Sequence, residues 1–156
     1  MSLADKQIKI DLLQWKDRLV TTQTVGKTYI YDPIRKKKVV LQPEELVRQL
    51  MIQWLIHETN FNRNNIQVEK KIKINNLNRR FDIVLYNKNT IPYILVECKS
   101  PEVQITQITF DQIAVYNMAL RAPFLIVTNG LATYCVELDH IQKSYIFLSN
   151  IPERLS

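Results

Sequence analysis

Asp82, Glu97 and Lys99 are the residues of this chain whose types and spacing suit chemistry. Glu97 and Lys99 close the run Ile-Pro-Tyr-Ile-Leu-Val-Glu-Cys-Lys (91–99), and Asp82 interrupts Arg-Arg-Phe-Asp-Ile-Val-Leu-Tyr (79–86). Side chains two apart on a strand point the same way. Glu97 and Lys99 therefore share a face, and Asp82 can join them from a neighbouring strand. Two converging carboxylates form a hard-oxygen site suited to a hydrated Mg²⁺, and a lysine beside it can hold or activate a water. Glu-x-Lys in a strand is more commonly a solvated ion pair. Here Tyr-Ile-Leu-Val (93–96) is too apolar for a half-wet strand. Leaving one partner of a buried pair alone costs about 3–5 kcal/mol, and Lys99 is the compensation in view for both acids.

These residues need a hairpin. The two apolar runs flank Asn-Lys-Asn-Thr (87–90), a turn signature. Both faces of both runs are apolar, which predicts central strands covered on two sides. Ile66, Val68, Ile72 and Ile74 alternate with polar residues as a strand does, giving a meander over 66–74, 80–86 and 91–99. Upstream, Pro43 suits a first helical position. Leu46, Val47, Leu50, Met51, Trp54 and Leu55 form a core-facing helical stripe to about Glu58. At about 100° per residue, Glu44 falls beside that stripe and Glu45 on the opposite face; as first-turn acids both suit the helix dipole. A second helix is expected from about Gln104 to Arg121, with Ile105, Ile108, Gln112, Tyr116 and Ala119 near one face. Phe124-Leu-Ile-Val-Thr reads as a buried strand, parallel to the Glu97 strand because a helix joins them. Strands are also expected over 132–138 and 145–148, and a hairpin around Pro33. Residues 1–25 are weakly patterned and read as a short strand or helix on the domain. The two histidines, His57 and His140, are isolated and read as boundary or surface residues.

The chain has 156 residues, 46% of them hydrophobic, which fits one globular domain over 1–156 with a core of about 27–152. A formal net charge of +6 favours polyanionic partners. Basic clusters lie at Arg35, Lys36, Lys37 and Lys38, and at Lys70, Lys71, Lys73, Arg79 and Arg80. Either is able to touch phosphates, although a charge run is more commonly a solvated loop. Two cysteines without zinc-ligand spacing point to a reducing, cytoplasmic setting. No stretch approaches the roughly 20 apolar residues of a membrane span. Gly26-Lys27-Thr28 ends like a P-loop, but Thr21 stands where that pattern needs glycine, so it is read as a chance match.

Asp82 followed fifteen positions later by Glu97-Cys98-Lys99 resembles the core of the PD-(D/E)XK nuclease superfamily. More narrowly, Asp-Pro-Ile-Arg-Lys-Lys (32–37), Pro-Glu-Glu-Leu-Val-Arg-Gln (43–49), Phe-Asp-Gln-Ile-Ala-Val-Tyr-Asn (110–117) and Val-Thr-Asn-Gly (127–130) are similar to the N-terminal nuclease domain of type I restriction enzyme R subunits. Phe81 stands where the superfamily's name has proline. The resemblance implies a restriction-endonuclease-like α/β (α+β) fold, a mixed sheet of about five strands with one helix on each face. It implies an Mg²⁺- or Mn²⁺-dependent endonuclease acting on DNA. Asp82 and Glu97 would hold the metal with the Cys98 carbonyl, and Lys99 would orient water and stabilise charge. Glu44 or Glu45 would be the further helix acid, and Gln112 and Tyr116 would support the site or the DNA. Restriction–modification subunits or a motor are implied partners, and homodimerisation is left open. The rival expectation is a non-catalytic DNA-binding or interaction domain that keeps the fold.

Overall fold

The apolar runs after residue 65 build one mixed sheet, and the computed structural model describes it within residues 2–153. Three strands precede it: β1 (Thr21–Thr24), β2 (Lys27–Asp32) and β3 (Lys37–Val40) form a separate antiparallel sheet in the order β1-β2-β3. Gly26, at φ +77°, takes the left-handed position of the β1–β2 turn. A strand follows it, so Gly-Lys-Thr is not a phosphate loop. Ahead of β1 lie two 3₁₀ segments, Leu3–Lys6 and Leu12–Arg18.

The main sheet comprises β4 (Ile66–Ile74), β5 (Leu77–Tyr86), β6 (Pro92–Cys98), β7 (Phe124–Thr128), β8 (Thr133–Asp139) and β9 (Ser144–Leu148). Its order is β4-β5-β6-β7-β8-β9. Six strands replace the expected five. Only β6 and β7 pair in parallel among the described strands. Their connection holds a helix, as a parallel crossover requires.

Helix α1 (Pro43–Glu58) and helix α2 (Gln107–Leu120) cover opposite faces. Val47, Leu50, Met51, Ile52 and Leu55 of α1 pack with Ile83, Leu85, Ile94, Val96 and Ile126. Phe110, Ile113 and Leu120 of α2 pack with Val84, Leu95, Leu125, Val127 and Val136. Each such side chain contributes about 1.5–3 kcal/mol on burial. The expected face of α2 is corrected here. Ile108 is 65% exposed and Gln112 is exposed, while Phe110, Ile113, Asn117 and Leu120 are buried. Ile105 is buried ahead of the helix, and extrapolating the stripe from it displaced the predicted face.

The N-terminal segment joins the α1 side through Ile8 and Leu12, and the Ile8 N–H donates to the Thr133 carbonyl at 2.8 Å. His57 stacks on Trp15, with ring centroids 4.8 Å apart. His140 Nε2 lies 2.9 Å from the Ala122 carbonyl. Cys98 and Cys135 are buried free thiols, and burial pushes Cys135 up to about 12. No described helix is long and apolar enough to cross a membrane.

Candidate active site

The β5–β6 ladder runs from Tyr86↔Pro92 to Ile83↔Val96 and then parts. Strand β6 continues on β7 through Cys98↔Thr128, and the Lys99 N–H donates to the Thr128 carbonyl at 2.8 Å. The split leaves the Cys98 N–H without a strand partner. Asp82 supplies one, its Oδ2 accepting from that N–H at 2.8 Å. The Asp82 carboxylate thus lies between the strands and is itself buried.

Strand β4 is also irregular here. Glu69 adopts φ +55° between the pairs Val68↔Ile83 and Lys70↔Phe81. The left-handed region costs a residue with a Cβ about 1–2 kcal/mol. In return, the two strands change face at this point. Ile83 lies in the α1-side core, and its neighbour Asp82 also reaches an α1 residue, Arg48, at 2.7 Å.

Glu97 is half-buried. Burial, then the charge and hydrogen bonding of adjacent Asp82, push its carboxyl well above the usual range, and Lys99 partly offsets this. Glu44 is raised by burial and by Asp82, against the pull of Arg48 and Lys99. The structure therefore brings Asp82, Glu97, Lys99 and Glu44 within electrostatic reach of one another.

Glu45 has a different setting. It is buried, its Oε1 accepting from Arg35 Nη2 at 2.8 Å and from Arg48 Nη1 at 2.7 Å. This reverses the expected faces of α1: Glu45 points inward, and Glu44 keeps a half-exposed side chain 3.7 Å from Arg48. The cause is a polar patch inside the domain. Asp32 is fully buried and accepts from the backbone N–H groups of Ile34 and Arg35, from Arg35 Nε at 2.6 Å and from Gln49 Nε2 at 2.9 Å. Glu69 Oε2 lies 3.2 Å from Arg35, and its Oε1 lies 3.5 Å from Arg48. Burial opposes the charge on Arg48, yet Asp82 and Glu45 hold its guanidinium still more firmly protonated than usual.

Three expectations change accordingly. Lys99 is not the sole counter-charge, because Arg48 lies on Asp82. Arg35 belongs to the buried ion-pair network rather than to a phosphate-facing surface, whereas Lys36, Lys37 and Lys38 are exposed. Gln112 makes no side-chain hydrogen bond to the acidic cluster among the described residues. Tyr116 is half-buried, with the Arg79 guanidinium 4.5 Å from its ring centroid. Arg48 and Glu69 were not singled out from the sequence. Arg48 follows Glu44 by four residues and Glu45 by three, the spacing of helical ion pairs; Glu69 had no comparable signal.

Among the described residues, no group of three or more His, Cys, Asp and Glu side chains is arranged to hold a metal ion. Asp82 and Glu97 nevertheless offer oxygen alone, and burial, followed by the Asp82 charge, raises the Glu97 carboxyl. That set suits Mg²⁺ or Mn²⁺ rather than a thiolate- or imidazole-seeking metal. Mg²⁺ in particular commonly takes one or two carboxylates and keeps several waters.

Residues 43–152 match the family described as type I restriction enzyme R protein N terminus (HSDR_N). The chain belongs to that family. The matched segment contains Glu44, Arg48, Asp82, Glu97 and Lys99, and it spans α1, α2 and the six-stranded mixed sheet. A solved fragment assigned to an HsdR subunit of a type I restriction enzyme from Vibrio vulnificus YJ016 is similar at 20% identity and a TM-score of 0.48. The similarity covers 65% of this chain and 22% of that one, so the chain spans under a quarter of that structure's length. No curated protein matches the chain.

Proposed function

We propose that this R-subunit N-terminal domain hydrolyses phosphodiester bonds in DNA with Mg²⁺ or Mn²⁺ held by Asp82, Glu97 and the Cys98 carbonyl. The observation that carries the reading is the split in the β5–β6 hairpin, which gathers two mutually repelling carboxylates beside Lys99. Arg48 and the Cys98 N–H fix both oxygens of Asp82, so this acid is already oriented. A cation held between the two carboxylates would favour the charged form of Glu97, against the burial and the Asp82 charge that raise its carboxyl. Lys99 orients the attacking water and donates to the charge that grows on the scissile phosphate. Glu44 sits at the rim and holds water by hydrogen bonding. A bound divalent ion would polarise the phosphoryl oxygen and lower the pKa of its water. In this reading the partners are DNA and the other restriction–modification subunits or their motor, in the cytoplasm.

One observation favours a second reading, a non-catalytic DNA-binding or interaction domain: Asp82 has both oxygens occupied by protein donors. Incubating the purified chain with plasmid DNA and either ion separates the two. Wild type should nick or cut, and Asp82→Asn, Glu97→Gln and Lys99→Ala should each lower the rate by at least roughly a hundredfold. A wild-type chain that leaves the plasmid intact with both ions would reject autonomous cleavage.

A further inference from the structure

We propose that one face of the outer β4–β5 ribbon, carrying Lys71, Lys73, Asn78 and Arg80, is the track along which the phosphate backbone of duplex DNA reaches Asp82; this rests on the DNA reading above. The register pairs Lys71 with Arg80 and Lys73 with Asn78, so all four residues lie on one side. All four are exposed. Like charges directly opposite across an antiparallel pair are unfavourable. Glu69, which lies 3.5 Å from Arg80, is already engaged by Arg35 and Arg48. The repulsion between Lys71 and Arg80 is therefore only partly relieved within the chain, by a carboxylate shared among three arginines, and a polyanion laid along the ribbon removes the rest.

The opposite face is occupied. Ile72 and Ile74 pack on the α2-side core, Arg79 lies over Tyr116, and Lys70 is 6.0 Å from the Tyr86 ring centroid. The ribbon is thus anchored with its charged side outward. That side leads to the acids. Arg80 is two residues from Asp82, about 7 Å along a strand. The contacts Arg80–Glu69, Glu69–Arg48 and Arg48–Asp82 join the two on the same side. A two-stranded ribbon has the width to lie on duplex DNA, and lysine and arginine on phosphates position a duplex without reading its sequence.

The test is a titration of the full chain in EDTA with a labelled 30-base-pair duplex, from about 50 to 200 mM KCl. Each phosphate contact contributes about −0.9 to the slope of log affinity against log salt. The double variant Lys71→Glu/Lys73→Glu should bind more weakly, with a slope shallower by about 1.8, equivalent to roughly tenfold less salt-induced loss over this range. Lys71→Gln/Lys73→Gln should show the same shallower slope and guards against misfolding of the first variant. Lys9→Glu/Lys143→Glu removes as much charge near the β8–β9 side and should keep the wild-type slope. If the ribbon and control variants change alike, or if the ribbon variants keep the slope, the track is overturned while DNA binding stands. Tighter wild-type binding to a single strand or to RNA of equal length overturns the duplex assignment. A wild-type chain that binds no nucleic acid overturns the track and the DNA reading together.

Discussion

Arg48 changes how the acids must be understood. A buried carboxylate between two strands needs a counter-charge, and a guanidinium 2.7 Å away provides one without any metal. Removing one partner of such a pair costs about 3–5 kcal/mol, because the other is left uncompensated. Asp32 shows the same dependence in its pH response. Burial alone would raise its carboxyl, but hydrogen bonds from the Arg35 backbone and side chain and from Gln49 bring it below the usual 3.8. A carboxyl lowered on folding contributes stability above its unfolded value and loses it as pH falls through the folded one. Asp32→Ala should therefore cost about 3–5 kcal/mol near neutral pH, and its gap from wild type should narrow as the pH falls below about 4. Urea unfolding of both proteins from pH 3 to 7 measures this. A gap that widens toward acid would contradict the network described for Asp32.

Among the elements, the turn between β7 and β8 is bound closely to α1. Gly130 adopts φ +89°, and a Cβ built there would lie 3.3 Å from Val47 Cγ2. Gly130→Ala combines left-handed strain with that contact and should cost about 1–2 kcal/mol, read as a lower denaturant midpoint with an unchanged m-value. α1 was legible in sequence because Pro43 and an apolar stripe carry local signals. The inward turn of Glu45, Arg48 and Gln49 was not. A helical wheel scores such residues as solvent-facing, and their partners are remote in sequence: Arg35 and Asp32 meet Glu45 and Gln49 from the first sheet and its β2–β3 turn, while Asp82 and Glu69 of the main sheet meet Arg48. The face of α2 was misread for a related reason: Ile108 and Ala119 are apolar yet exposed, and hydrophobicity alone does not reveal which apolar residues lack a neighbour. The Asp82–Glu97–Lys99 hairpin was legible because charges inside two-sided apolar strands are conspicuous. Its split end was hidden, since it depends on β7 holding β6 while β5 departs.

For the molecule as a whole, the acids and their cations set a balance that a divalent ion should shift. Mg²⁺ or Mn²⁺ at one hundred times Kd adds about 2.7 kcal/mol to stability, or roughly 5–10 °C in Tm at about 2–4 °C per kcal/mol. Asp82→Asn should lose this response and, because Arg48 then loses one of its two 2.7 Å carboxylate partners, should melt below wild type in EDTA. A thermal series in EDTA and in millimolar Mn²⁺ checks both. Wild type indifferent to both ions would remove the support for a metal between Asp82 and Glu97. The position of β4 in the sheet has a separate consequence. It is an edge strand, and among the described residues no strand pairs with its outer side. Such an edge invites another chain to pair with it, and lysines along the strand are a means of discouraging that. Lys70, Lys71 and Lys73 guard this edge against strand-by-strand aggregation. Glutamates at 71 and 73 preserve that protection while valines would abolish it, so solubility and nucleic-acid affinity can be separated at the same two positions.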